Sequence, residues 1–250
     1  MKDKAEPIRR LTARSAILSV LLGIHPGQGS AALIIEMTSH LGVAPSTARA
    51  ALSRLASSGD LDRSGGVYRL SARLIERQRR QDYALRPATT AWDGSWRLAL
   101  VTTGAENSTD RAGLRSTLRA AKLGELREGV WGRPNNLSPA IQSEPIDRLS
   151  WFTAIPDEDP AQLAEGIFEL GDWASTAEQL ITSMNDATDR TERFQISASI
   201  VRHIVDDPLL PVEVLPAHWP GDALRQRYEQ FRAELRADAE KKRAVDNRRC

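Results

Sequence analysis

The stretch LIIEMTSHLGVAPSTARAALSRLASSGDLDRSGGVYRL, residues 33–70, decides the fold of the amino-terminal third. Leu33, Ile34 and Met37 recur at helical spacing and run into Leu41-Gly42, where glycine accepts the left-handed conformation that closes a helix and opens a tight turn. Pro45 then suits a first helical position, and the alanine- and arginine-rich run behind it is strongly helix-forming. Ala44 before it offers no side-chain oxygen for an N-cap. Ala48, Ala51, Leu52 and Leu55 fall on one face at i, i+3, i+4 and i+7, which leaves Ser46, Thr47, Arg49, Ala50, Ser53 and Arg54 pointing outward. Beyond Ser57-Ser58-Gly59, the alternation of Leu61 and Arg63, then Val67 and Arg69, around Gly65-Gly66 predicts two short strands in a hairpin.

Helix, glycine turn, short-residue helix and basic hairpin in this order predict a winged helix-turn-helix that reads double-stranded DNA. A helix entering the major groove needs small residues near its N-terminus to approach the base edges, hydroxyls for phosphates and arginines for guanine or phosphate oxygens. Ser46, Thr47, Arg49, Ser53 and Arg54 supply that face. Arg63 and Arg69, on the exposed side or tip of the hairpin, suit backbone or minor-groove contacts. For any one arginine alone, a solvated helix face is the plainer reading.

The overall charge of +1 hides an asymmetry. Residues 1–90 carry 14 Lys and Arg against 7 Asp and Glu, a net of +7, while the remaining 160 carry 20 against 26, a net of −6. The basic part coincides with the expected DNA reader, as phosphate binding requires. The single cysteine, Cys250, excludes an intrachain disulfide and a cysteine zinc site, and suits a reducing compartment. MKDKAEPIRRLTARS has no apolar core before a cleavage site, and no apolar run approaches the length of a membrane span, so a soluble cytoplasmic protein is expected. His25, His40, His203 and His218 stand far apart without metal-ligand spacing, and no metal site is expected.

Outward from the deciding stretch, Thr12 is a plausible N-cap for a helix with Ile17, Leu18, Leu21 and Leu22 on its apolar side, and His25 to Ser30 reads as a loop. SARLIERQRRQDYALRPATTAW begins as a basic helix and dissolves into a linker at 84–92. WRLALVTT, residues 96–103, is a strand; DRAGLRSTLRAAKLG is a helix that stops at Gly124; Leu126–Trp131 and Leu149–Ile155 are two further strands, with a polar loop between them. Residues 161–187 supply one or two helices and room for a short edge strand. A β-α-β-β order followed by helix predicts a ferredoxin-like α/β domain. Helices at 190–205 and from 223 to about 241 flank DDPLLPVEVLPAHWPGD, whose prolines and apolar residues predict a rigid segment docked on something apolar. The expected partition is therefore an α+β chain: a winged helix at 1–83, the linker, a ferredoxin-like domain at 93–188 and a helical domain at 189–250.

TARSAILSVLLG (12–23), LGVAPSTARAALSRLASSGDL (41–61), WDGSWRLALV (92–101), LRSTLRAAKLGELREGVWGRPNNL (114–137) and DDPLLPVEVLPAHWPG (206–221) together resemble the PaaX family of transcriptional repressors, which control phenylacetic acid degradation. The resemblance spans nearly the whole chain, and its most specific parts are GVWGRPNNL and DPLLP followed by LPAHWPG. It implies an N-terminal winged helix, a central ferredoxin-like domain similar to CRISPR spacer-acquisition nucleases and a C-terminal helical domain. It further implies a homodimeric repressor released by an aryl-acyl coenzyme A, typically phenylacetyl-CoA. Pairing two winged helices on one duplex predicts an inverted-repeat operator, and no cofactor is expected.

Trp131, Arg133 and Asn135 end a strand and open a loop, where a ring, a cation and an amide could meet an aromatic acyl group or a CoA phosphate. Domain core and turn are their plainer roles. Arg202 and His203, beside the proline-rich segment, complete the expected ligand set, placed between the central and C-terminal domains. Trp92, Trp96, Trp173 and Trp219 read as packing. Two other functions have some footing: a metal-dependent nuclease using Asp93 or Asp110 in the central domain, and a helix-turn-helix that binds only protein. No Ser-His-Asp set, P-loop or paired acidic motif supports catalysis, so no enzyme and no catalytic residue is expected, and the +7 amino-terminal charge argues against the protein-binding module.

Overall fold

The computed structural model describes residues 11–102, 108–137 and 148–246. Thr12 opens α1 (Ala13–Gly23) by accepting the Ser15 backbone N–H at 3.2 Å, the cap its hydroxyl predicts. There follow β1 (Gln28–Ser30), α2 (Ala31–Ser39), α3 (Pro45–Ser57), β2 (Leu61–Ser64), β3 (Val67–Leu70) and α4 (Ala72–Leu85). Between α2 and α3 the chain turns at Gly42, with φ of 75°, and α3 begins at Pro45 without a side-chain cap from Ala44. Gly65 and Gly66, at φ of 56° and 77°, make the turn between β2 and β3, a geometry in which a side chain would be strained. The strands form an antiparallel sheet in the order β1-β3-β2, so that Gln28 and Asp62 stand opposite Arg69 from its two sides.

Ala51, Leu52 and Leu55 of α3 pack with Ile17, Leu18, Leu21 and Leu22 of α1, Ile34 of α2, Leu61, Tyr68 and Leu70 of the sheet and Leu74 of α4. Each fully buried leucine contributes about 2 kcal/mol, which fixes α3 on α1 by its apolar face and turns its polar face to solvent. The same compact unit takes in residues 176–205 and 220 onward: the rear of α7 (Leu170–Asp186), α8 (Arg190–Val205) and α9 (Gly221–Asp246). Phe194 of α8 packs on Ala16, Val20 and Leu41, and Arg225 of α9 donates to the Ala84 carbonyl at 2.9 Å.

The second unit comprises residues 86–175 and 206–219. Its strands β4 (Trp96–Val101), β5 (Gly124–Arg127), β6 (Val130–Pro134) and β7 (Leu149–Ala154) form an antiparallel sheet in the order β5-β6-β4-β7. One face, with Ala99, Trp131 and Trp151, is covered by Leu114, Leu118 and Ala121 of α5 (Ser108–Ala120) and its C-terminal end. The other, with Trp96 and Leu98, is covered by α6 (Pro160–Phe168) and by Leu210, Val214 and Leu215 of the proline-rich segment, which contains a single 3-10 turn at Val212–Val214. Trp219 stacks on Trp173 with centroids 4.5 Å apart. The segment is thus docked on an apolar surface, as its composition predicts.

Three expectations need correction. Residues 28–30 pair as a strand in what reads as a loop, because the pairing is made by backbone and needs no apolar side chains. The helix expected to stop at Gly124 ends at Ala120, where Lys122 takes the left-handed turn at φ of 64°, and Gly124 instead lies in β5. A Cβ at Gly124 would fall 1.9 Å from Ile167 Cγ2, so glycine there permits close packing of α6. Residues 126–131, expected as one strand, straddle the β5–β6 hairpin. Each compact unit is assembled from separate stretches of sequence: α8 and α9 join the amino-terminal helices, and 206–219 joins the central sheet. Of the loop expected at 133–147, Arg133 and Pro134 close β6 and 138–147 lie outside the described residues, as do Thr103 and the last tail residues.

Candidate nucleic-acid interface

Ser46, Thr47, Arg49, Ser53 and Arg54 are all exposed on α3, opposite the buried Ala48, Ala51, Leu52 and Leu55. Neither guanidinium has a protein partner among the described residues. Arg63 and Arg69 are exposed on the adjoining hairpin. Arg69 Nε donates to Gln28 Oε1 at 2.8 Å, and the Arg63 guanidinium lies 5.6 Å from the Tyr68 ring centroid. Both cations are thereby oriented, with nitrogens left to reach an anion. The seven residues share one unit, on a helix and a hairpin joined through one core.

Asp60 fixes the joint between α3 and β2. Its buried carboxylate accepts from Ser58 Oγ at 2.9 Å, pairs with Arg14 of α1 at 2.7 Å and binds Arg73 of α4. Burial alone would raise its pKa, but the Ser58 hydroxyl and the two arginines outweigh burial and hold it below the usual carboxylate range. Sequence reading missed this residue: nothing in SSGDL distinguishes a buried aspartate from a turn aspartate.

The residues expected to bind a ligand divide between the two compact units. Trp131 is 2% exposed in the core between sheet and α5. Arg133, 1% exposed, spends its donors on the protein: Nε on the Pro134 carbonyl at 3.0 Å, Nη1 on those of Lys122 and Pro208 at 3.2 and 3.0 Å, and Nη2 on Asn136 Oδ1 and the Leu209 carbonyl, each at 2.8 Å. It therefore clamps the proline-rich segment to the end of the sheet. Asn135 Nδ2 reaches Ser95 Oγ at 3.4 Å. Arg202 and His203 belong to the other unit, in the last turn of α8, where Arg202 donates to Ser199 Oγ at 2.8 Å.

The carboxylates considered for a nuclease are held by protein groups. Asp93 accepts from the Ser95 hydroxyl and backbone N–H, at 2.6 and 3.0 Å, which hold its pKa low, and Asp110 pairs with Arg148. Among the described residues no group of three His, Cys, Asp or Glu could hold a metal ion, and no helix is long and apolar enough to cross a membrane.

Three family models match the chain in order: "PaaX-like protein" over residues 12–74, "PaaX protein central Cas2-like domain" over 89–150 and "PaaX-like protein C-terminal domain" over 169–244. The transcriptional repressor PaaX of Escherichia coli (strain K12) is 30% identical over 227 residues, spanning 79% of this chain and 70% of that protein. Among solved structures, the uncharacterized protein Rv0674 from Mycobacterium tuberculosis superposes with a TM-score of 0.76 at 45% identity, covering 90% of this chain and 96% of that one. The chain belongs to the PaaX family of transcriptional regulators.

Proposed function

We propose that this regulator is a sequence-specific DNA-binding repressor in which α1–α3 and the β1-β3-β2 sheet act as a winged helix-turn-helix. α3 enters the major groove with Ser46, Thr47, Arg49, Ser53 and Arg54, and the hairpin lays Arg63 and Arg69 on the neighbouring backbone or minor groove. One observation carries this reading: Arg49 and Arg54 are exposed on one helix face, with no protein partner among the described residues. The order β5-β6-β4-β7 is that of a split β-α-β, which supports a ferredoxin-like central domain. The operator is an inverted repeat read by a homodimer, and a small aromatic effector, phenylacetyl-CoA or a related acyl-CoA, releases it.

Selection of binding duplexes from a randomised pool with the full-length protein tests the reading. Enrichment of a palindromic sequence by the wild type, and loss of that enrichment in an Arg49→Ala, Arg54→Ala double variant, is the expected result. A pool that stays random refutes sequence-specific binding.

A further inference from the structure

Within the amino-terminal unit, α1 and α4 on one side and α8 and α9 on the other line a half-open cavity of about 670 Å³. That is the size of a site for a small organic molecule. Its lining is largely apolar, with Leu18 and Leu22 from α1, Phe194 and Val201 from α8, and Phe231 and Leu235 from α9. Among the described residues three arginines from three helices also line it, Arg77, Arg202 and Arg232, against one carboxylate, Asp82. Asp82 is already engaged by His25 at 2.8 Å, and Arg232 lies 3.2 Å from Glu229. Arg77 has no ion-pair partner among the described residues, and loss of hydration, then the charges of Arg80 and Arg73, press its pKa below the ordinary arginine range. An anion beside Arg77 relieves that crowding.

The cavity also touches the DNA-reading elements. Leu18 and Leu22 belong to the core on which Ala51, Leu52 and Leu55 of α3 rest, and Val20 and Met37 of the lining pack with Leu41 ahead of the Gly42 turn. A molecule lodged here acts on α1 and α2, the two helices that position α3.

We propose that this cavity is the effector site and takes an organic anion with an apolar aromatic or alkyl body, its charged group held by Arg77. Among the described residues its lining includes Arg202 of the residues expected from sequence to bind ligand, and not Trp131, Arg133 or Asn135. That occupancy weakens DNA binding rests on the repressor reading above; occupancy itself does not.

The full-length protein is titrated with 8-anilinonaphthalene-1-sulfonate, an aromatic anion whose fluorescence rises in apolar surroundings. A single saturable site is expected. Ala198→Trp, which fills the cavity from α8, lowers the affinity more than tenfold, and Ser19→Phe from the opposite wall repeats the test should the first variant fail to fold. Arg77→Gln weakens the sulfonate about fivefold and leaves the uncharged N-phenyl-1-naphthylamine unaffected. Displacement of the dye by phenylacetate or by phenylacetyl-CoA distinguishes a free acid from its thioester. Absence of saturable binding, or wild-type affinity in a folded cavity-filling variant, overturns the site. If the dye is displaced but affinity for the selected duplex is unchanged, the site stands and the effector reading falls.

Discussion

Arg14 Nη2 lies 2.7 Å from Asp60 Oδ2, so the first turn of α1 is tied to the joint between α3 and the hairpin that follows it. Arg73 binds the other carboxylate oxygen from α4. Asp60 is the element of the ion network withdrawn from water, whereas both arginines are largely exposed. Its loss therefore matters more than the loss of either cation.

Asp60→Asn keeps the shape and removes the charge. At pH 7 it should lower the unfolding free energy by about 2 kcal/mol, less than for a pair buried on both sides because the arginines regain water. The folded-state pKa is depressed, so the carboxylate stabilises the fold above its unfolded value near 4 and that contribution disappears as pH falls through the folded value. Urea titrations of both proteins should show a constant gap from pH 7 down to about 4.5 and a closing gap in stronger acid. A gap of equal size throughout would mean that the charge is not responsible.

Arg49→Ala and Arg54→Ala leave the core of α3 untouched and should not change thermal stability by more than about 0.5 kcal/mol. On the selected duplex each should cost about 1–3 kcal/mol of affinity if it meets a base edge. A phosphate contact instead reduces the slope of log affinity against log salt by about one unit. Fluorescence anisotropy at two salt concentrations separates these cases, and unchanged affinity and slope in both variants removes α3 as the contact surface.

Arg133→Met should lower stability by about 3–5 kcal/mol, because it removes the guanidinium donors from the Lys122 and Pro208 carbonyls and from Asn136 Oδ1 and leaves the Leu209 carbonyl with Asn136 Nδ2. Lys122 and Leu209 stand at φ of 64° and 54°, so the same guanidinium offsets strain at two left-handed residues. Lysine cannot reproduce the planar fork, and Arg133→Lys should recover little of the loss. Calorimetry on both variants checks this; a Lys variant as stable as wild type would mean that charge alone suffices.

The helices and hairpin were legible in the sequence wherever local period and punctuation agreed: Pro45 with Ala48, Ala51, Leu52 and Leu55 for α3, Gly65-Gly66 for the turn, Thr12 for the cap. What stayed hidden depended on distant partners. Gly124 looks like a helix stop until Ile167 is placed against it, and Arg133 looks like a ligand residue until the Pro208 and Leu209 carbonyls arrive from 75 and 76 residues away. The α3 face could be read because exposure follows from helical phase. The cavity could not, since its walls come from residues 11–85 and 194–235, which no sequence period relates.

A homodimer reading an inverted repeat makes the spacing of half-sites a mechanical quantity. One α3 presents two arginines unpartnered among the described residues, and the hairpin adds Arg63 and Arg69, too few phosphate contacts for tight binding at physiological salt by a single copy. Two copies joined by protein contacts place their α3 helices on one side of the duplex only when the half-sites are whole helical turns apart, about 10.5 base pairs or a multiple. Light scattering of the free full-length protein should give the mass of two chains. Inserting five base pairs between the half-sites rotates one by about half a turn and should cut affinity at least about a hundredfold, while inserting ten should restore much of it. Equal loss for both insertions would mean a single copy reads one contiguous site, and a monomer in solution that stays a monomer on the duplex would lead to the same conclusion.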